Sequence, residues 1–226
     1  MVVKVGHRGA AGHEPENTLR GFRRAMELGA DMVELDVQIC SSGEMVVIHD
    51  DTVDRTTNGT GAVDELTFEE LRRLDAGGGE RIPTLDEVID VADREIGVNI
   101  ELKGLGTAGP VHEVIERAIS EKGWSQDGFI VSSFHLGELV AIRELSDEVR
   151  TGVLFARERG GIVEFAELNR AYSIHPYFGS VDAEFIGEAR EKGLRMFVWT
   201  VNDPADIGGM KALGVDGIIS DYPDRI

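Results

Sequence analysis

An α/β fold of the TIM-type (β/α)8 barrel kind, with a small insertion after the second strand, is what this 226-residue sequence predicts. Three observations carry that expectation. Short Val/Ile-rich runs alternate with longer amphipathic stretches, the pattern of parallel strands wrapped by helices. The pattern repeats eight times, which in a chain of this length fits a compact closed barrel better than an open doubly wound sheet. No linker, low-complexity tract or change of composition divides the chain, so residues 1–226 are expected to form one barrel domain.

In chain order the expected strands are Val2–His7, Met32–Asp36, Val98–Leu102, Phe129–Ser132, Thr151–Phe155, Tyr172–Pro176, Arg195–Thr200 and Gly217–Ser220. Between them the 3.6-residue period predicts helices over Asn17–Leu28, Leu85–Asp93, Val111–Lys122, Leu136–Leu145, Gly161–Leu168, Asp182–Lys192 and Pro204–Leu213. Start and stop marks support several of them: the capping pattern Thr84-x-x-Glu87 and the terminal glycines Gly29, Gly123, Gly193 and Gly214. From Val37 to Gly79 the rhythm breaks. A second apolar run, Met45–Ile48, is followed by polar Gly/Thr/Asp-rich sequence and a short capped helix from Thr67-x-x-Glu70 onward, which places an insertion at about 51–80. The turn Ser41-Ser42-Gly43-Glu44 is too short for a parallel crossover, so the two runs must pair antiparallel. If Ser41 pairs with Glu44, Asp36 is expected opposite His49.

Composition narrows the function. Lys+Arg 23 against Asp+Glu 42 gives a net charge of -19, which argues against nucleic-acid or anionic-membrane binding, since both need a basic face. The single cysteine, Cys40, excludes an intramolecular disulfide framework and Cys-pair zinc sites. Apolar runs fall far short of a bilayer span and the N-terminus begins directly on strand-like alternation, so a cytoplasmic protein without stable membrane anchoring is expected.

In a βα barrel, chemistry collects at the C-terminal ends of the strands. Here those ends carry His7-Arg8-Gly9, Glu34 and Asp36, His49-Asp50 on the returning hairpin, Glu101 and Lys103, Trp199 to Asn202, and Asp221. Strand alternation points Glu34 and Asp36 the same way, and likewise Glu101 and Lys103. Three inward carboxylates are costly unless something positive binds them. Oxygen-only donors favour Mg²⁺ or Ca²⁺, with Mn²⁺ acceptable. The competing reading is a structural ion network with Arg8 and Lys103; convergence of three acids from two strands beside two histidines favours the metal. His7 and His49 suit paired general acid and base roles, because imidazole titrates near neutral pH. Arg8 and Lys103 have the charge for a phosphate. His13, His112, His135 and His175 are taken as core or surface residues, and Trp199 is either core or an apolar ligand wall.

Read as a set, the motifs Gly6-His7-Arg8-Gly9, Pro15-Glu16-Asn17-Thr18, Val33-Glu34-Leu35-Asp36-Val37, Val47-Ile48-His49-Asp50, Arg55-Thr56-Thr57-Asn58-Gly59, Ile82-Pro83-Thr84-Leu85, Asn99-Ile100-Glu101-Leu102-Lys103, Ser132-Ser133-Phe134, Val198-Trp199-Thr200-Val201-Asn202 and Gly217-Ile218-Ile219-Ser220-Asp221 run in order over nearly the whole chain. In this the sequence resembles the glycerophosphodiester phosphodiesterases. The resemblance implies a TIM-type barrel, a divalent metal, and hydrolysis of small glycerophosphodiester substrates to glycerol 3-phosphate and an alcohol. It implies Glu34, Asp36 and Glu101 as metal ligands, His7 and His49 as the acid/base pair, Arg8 and Lys103 as phosphate contacts, and Trp199 in the glycerol pocket. It further points to the substrate's own glycerol 2-hydroxyl as nucleophile, through a cyclic phosphate. One departure concerns the insertion, where only Gly78-Gly79-Glu80-Arg81 precedes Ile82 in place of the family's usual longer, aromatic-containing stretch. Two alternatives stand beside this reading: a lysophospholipase D-type phosphodiesterase, which needs an apolar rim, and a Schiff-base aldolase barrel built on Lys103. Glu101 on the same face argues against the second, because a carboxylate holds a lysine protonated.

Overall fold

The computed structural model describes residues 1–157 and 159–226. Among the described residues nine strands form one sheet: β1 (Val3–Gly6), β2 (Met32–Ile39), β3 (Met45–Val47), β4 (Gly97–Leu102), β5 (Phe129–Ser133), β6 (Thr151–Phe155), β7 (Ser173–Pro176), β8 (Arg195–Val198) and β9 (Gly217–Ser220). All but β3 run parallel, in the order β1-β9-β8-β7-β6-β5-β4-β2, and the β1–β2 pairing closes the barrel. The helices between them are α1 (Leu19–Glu27), α2 (Phe68–Leu71), α3 (Leu85–Ala92), α4 (Ala108–Lys122), α5 (Leu136–Leu145), α6 (Ile162–Leu168), α7 (Ala183–Glu191) and α8 (Pro204–Leu213). Both expected capping patterns close as reciprocal boxes, at Thr67 with Glu70 and at Thr84 with Glu87.

Strand alternation sorts the side chains into two cores. Val33, Leu35, Val37, Val98, Ile100 and Leu102 face outward and are fully buried under α1, α3 and α4. The other face lines the barrel interior, where Val5, Met32, Ile130, Phe197 and Ile219 form an apolar plug. Two residues further along the same strands, the same inward face carries His7, Glu34, Ser132, Trp199 and Asp221. The plug and the polar mouth are thus successive layers of one face. Burial of each large plug side chain is worth about 1.5–3 kcal/mol, which anchors the strands beneath the charged layer.

β2 does double duty. Its first residues pair with β1 and β4, while Val37, Gln38 and Ile39 pair antiparallel with Val47, Val46 and Met45 of β3. This register corrects the sequence expectation by one residue. Cys40 N–H donates to Glu44 O and Gly43 N–H to Cys40 O, so Cys40, not Ser41, faces Glu44 across a three-residue loop. Gly43 at φ 97° supplies the left-handed residue such a loop requires, and counting a two-residue turn missed it. Opposite Asp36 stands Ile48, whose N–H donates to Asp36 O; His49 lies just past the last pair. The segment that follows has a core of its own, in which Val53, Val63, Leu71 and Ile82 pack with Cys40, Val46 and Ile48.

Candidate active site

Each side chain at the mouth owes its place to a local backbone device. β1 stops at Gly6 because Arg8 takes φ 49°, in the left-handed region. That turn aims the Arg8 N–H at Glu34 Oε2 (3.0 Å) and gives its carbonyl to the Asn17 N–H (3.0 Å). Asn17, itself at φ 54°, donates from Nδ2 to Asp36 Oδ2 at 2.9 Å. Two non-glycine residues held in this region beside buried carboxylates are strain of the kind that clusters at functional sites. His49 is fixed differently: the Gln38 amide donates to the carbonyls of Ile48, His49 and Asp50 (3.3, 3.1 and 2.7 Å), curling the chain back over the mouth as it leaves β3.

Glu34, Asp36 and Glu101 are buried, and one oxygen from each lies within 4.8 Å of the others. Burial first, then Asp36 and Glu101, push Glu34 well above the usual carboxylate range. Burial and Asp36 likewise push Glu101 up to about 7. Part of the ion network weighed from sequence is present: Arg8 Nε is 3.3 Å from Asp36 Oδ2, and Lys103 Nζ is 3.0 Å from Glu101 Oε1. It does not balance. Among the described residues, the triad's only salt bridges are those to Arg8 and Lys103, Arg8 is shared with Glu16, and Glu34 has none. Asp36 Oδ1 is buried with no hydrogen-bond partner among the described residues, as a ligand oxygen awaiting a cation would be. All donors are hard oxygens, so the residues present fit a divalent metal.

The two histidines flank this cluster, each with Nδ1 on a carboxylate. His7 Nδ1 is 2.6 Å from Asp221 Oδ1, and Asp221 Oδ2 accepts from Asn202 Nδ2 at 2.6 Å. Burial raises the Asp221 carboxyl, but the bond and charge of His7 outweigh it and hold the group low. His49 Nδ1 is 2.6 Å from Asp50 Oδ1, and its Nε2 is 3.1 Å from Lys103 Nζ. An ammonium has only donors, so His49 accepts at Nε2 and carries its proton on Nδ1. His7, Arg8, Glu34, His49, Glu101, Lys103 and Trp199 line one cleft of about 460 Å³, solvent at its mouth included. Trp199 is oriented by its Nε1–H bond to His175 O (2.8 Å) and meets Phe134 edge to face at 5.6 Å.

The remaining histidines lie elsewhere. His175 is fully buried on Ser173 Oγ (2.8 Å), and burial pushes it down to about 3; His13 pairs with Asp224 at 2.7 Å. Sequence reasoning placed Asp50, Asn202 and Asp221 at the mouth without a role, and gave Glu16, Arg55 and Gln38 none. A carboxylate beside a candidate histidine was a usable signal for Asp50; the contacts of Arg55, Glu16 and Gln38 depend on tertiary folding.

The glycerophosphoryl diester phosphodiesterase family model matches residues 7–225. The chain belongs to that family. Membership makes it a phosphoric diester hydrolase. Its relatives include the glycerophosphodiester phosphodiesterase of Caldanaerobacter subterraneus subsp. tengcongensis, 41% identical over 98% of this chain and 95% of the relative. That of Bacillus altitudinis is 36% identical over 100% of this chain and 96% of the relative. Among solved structures, an Oleispira antarctica phosphodiesterase in complex with the product sn-glycerol-3-phosphate superposes with a TM-score of 0.90 at 31% identity, covering 98% of this chain and 94% of that one. No helix among the described residues of this phosphodiesterase family member is long and apolar enough to cross a membrane.

Proposed function

We propose that this enzyme hydrolyses small glycerophosphodiesters to glycerol 3-phosphate and an alcohol in the cytoplasm, with Glu34, Asp36 and Glu101 holding one Mg²⁺, Ca²⁺ or Mn²⁺ and His7 and His49 as the acid/base pair. The observation that carries the reading is the placement of two carboxylate-backed histidines around an under-compensated acidic triad. The product bound by the Oleispira antarctica relative supports glycerol 3-phosphate as the product here.

When bound, the metal supplies Lewis-acid stabilisation of charge on the phosphoryl oxygens. Arg8 and Lys103, held at the triad's edge, bring positive charge to the same oxygens, where phosphoryl transfer needs it. His49, with Nε2 toward the cleft, takes the proton of the attacking hydroxyl, which by family resemblance is the glycerol 2-hydroxyl, once Lys103 Nζ has turned from Nε2 to the phosphate; Asp50 holds the ring in that tautomer. His7, backed by the ionised Asp221, is suited to carry a proton and to deliver it to the departing alcohol oxygen; water then opens the cyclic phosphate, giving a proton to His7 while His49 returns its own to the 2-oxygen, which yields glycerol 3-phosphate. Trp199 and Phe134 form an apolar wall suited to the glycerol carbons. Lys103 is engaged by both Glu101 and His49, so nothing favours a Schiff-base aldolase.

The test is release of glycerol 3-phosphate from glycerophosphocholine and glycerophosphoethanolamine, in a chelator and then with Mg²⁺, Ca²⁺ or Mn²⁺ restored. Full turnover in the chelator overturns the metal assignment. A second, lysophospholipase D-type reading is favoured by one observation, an apolar groove lined by Leu136, Phe155 and Ile162 that shares Phe134 and Leu154 with the cleft. Choline release from lysophosphatidylcholine at a kcat/KM matching that from glycerophosphocholine would favour it.

A further inference from the structure

Arg55 stands on the insertion, half exposed, where a lone ion pair contributes little. Its surroundings differ from that ordinary case. Nε and Nη2 fork onto both oxygens of Asp50 (2.6 and 3.0 Å), and Nη1 and Nη2 fork onto both oxygens of Glu16 (2.7 and 2.8 Å). Each of these carboxylates has a second duty. Asp50 Oδ1 holds His49 Nδ1 at 2.6 Å, and Glu16 Oε1 accepts from Arg8 Nη1 at 2.7 Å. One unbroken line of charge-assisted bonds therefore runs His49, Asp50, Arg55, Glu16, Arg8, from the ring beside Lys103 to the cation beside Asp36.

The backbone presenting Arg55 is itself pinned. Val53 is buried in the insertion's own core, its N–H donates to Gly61 O, and its carbonyl takes both the Thr57 N–H (3.1 Å) and the Thr57 hydroxyl (2.8 Å). Asn58 and Asp75 then exchange two bonds that fasten this loop to the far side of the insertion. A bidentate fork on a fixed loop loses little freedom on forming, the circumstance in which arginine ion pairs become strong.

We infer that Arg55 is a positioning residue for the hydrolysis: by clamping Asp50 and Glu16 together it sets the orientation of His49 and the reach of Arg8, so the insertion acts as a strut of the active site. This rests on the roles proposed above for His49 and Arg8. It gives the segment at 51–80 a part in catalysis. It also predicts that the two ends of the line are coupled: disturbing Glu16, on the barrel side, is felt at His49. The charged groups that face His49 are Asp50 beside it, Lys103 from the end of β4, and Arg55 through Asp50.

The experiment measures kcat, KM and the pH profile of kcat/KM on glycerophosphocholine for Arg55→Ala, Arg55→Lys, Glu16→Gln and the double variant, with His49→Ala alongside. Arg55→Ala is expected to lower kcat on the order of tenfold to a hundredfold, the range typical of residues that orient a working histidine. It should also move the acidic limb to higher pH, because Asp50 then faces His49 with its charge uncompensated. Arg55→Lys, which keeps the charge and loses the forks, should restore the limb but only part of kcat. The double variant should fall short of the product of the single effects, the signature of one shared line. A merely structural Arg55 would lower melting temperature and leave limb and kcat per folded molecule unchanged; that outcome, or strict multiplicativity of the Arg55→Lys and Glu16→Gln effects, overturns the inference. If Arg55→Ala does not fold, Arg55→Lys and Glu16→Gln decide by the same criteria. A fully active His49→Ala enzyme instead removes the base assignment beneath it, whereas an inactive one with unaffected Arg55 variants removes the strut alone.

Discussion

The floor of the mouth and its rim hold carboxylates in opposite condition. On the floor, Glu34 and Glu101 are buried beside Asp36 and pushed upward, short of positive charge. On the rim, the forked bonds of Arg55 hold Asp50 well below the ordinary range, and those of Arg55 and Arg8 outweigh the burial of Glu16 to hold it low as well. The rim is already neutralised and serves to hold a histidine. The floor is left short of positive charge, the condition in which the triad could hold a cation. A site can thus pair rigidity with affinity by satisfying one cluster and starving the one next to it.

The sharpest test of the contrast separates activity from stability. Asp36→Asn or Glu101→Gln should lose roughly three orders of magnitude in kcat/KM, the equivalent of about 4 kcal/mol of transition-state stabilisation, while raising the metal-free melting temperature at pH 8, because repulsion on the floor is relieved. Glu16→Gln should do the reverse, with a milder kinetic loss and a lowered melting temperature. If the floor variants melt lower than the parent without metal, the starved-floor account is wrong.

The histidines come next. His7→Ala and His49→Ala should each lose about a hundredfold or more on glycerophosphocholine. An activated aryl leaving group needs no protonation, so it should recover most of the rate of His7→Ala and none of that of His49→Ala. The opposite recovery would exchange acid and base.

A smaller effect concerns pH and stability. An unfolded Glu101 releases its proton near 4.5 and the folded one near 7, so within that window the native state binds more protons and metal-free stability must fall as pH rises from about 4.5 to about 7; Glu34, also held high, adds a fall of the same sign. Saturating Mg²⁺ should abolish the fall by holding the carboxylates ionised. Buried His175 contributes the opposite slope between about 3 and 6.5, but equally with and without metal, so the difference between the two melting curves isolates the floor. Superimposable curves would show that no ion binds there.

The smallest expected change is with salt. At net charge -19 the approach of an anionic substrate is not funnelled, so moderate salt should leave kcat/KM nearly level, and Lys211→Ala should be silent. A steep fall with the metal site saturated would place a local positive field at the mouth.

The barrel was legible in the sequence because strand and helix periods there are uninterrupted, and strand ends moved by only a few residues. Arg195–Thr200 shortened to Arg195–Val198, since Trp199 already belongs to the mouth and keeps only a single bridge to Tyr177. The converging acids were legible for the same reason: alternation alone places Glu34, Asp36 and Glu101 on the inward face. The hairpin register was not, because it hung on whether Gly43 would take a left-handed turn, a choice between two loops that composition permits equally. Arg55 was invisible to any period, since its partners stand 5 and 39 residues away and meet only after the insertion has folded.

The small core under residues 48–82, in which Val53, Leu71 and Ile82 pack apart from the barrel's clusters, has a consequence for how the enzyme fails on warming. A segment with its own apolar nucleus can open as one cooperative unit while the barrel remains closed. Such an opening withdraws His49 and leaves the metal cluster standing. Inactivation should therefore precede global melting, and amide hydrogens at 53–75 should exchange well before those of β2 and β4. The molecule would then pass through a form that keeps the acidic triad in place and no longer turns over.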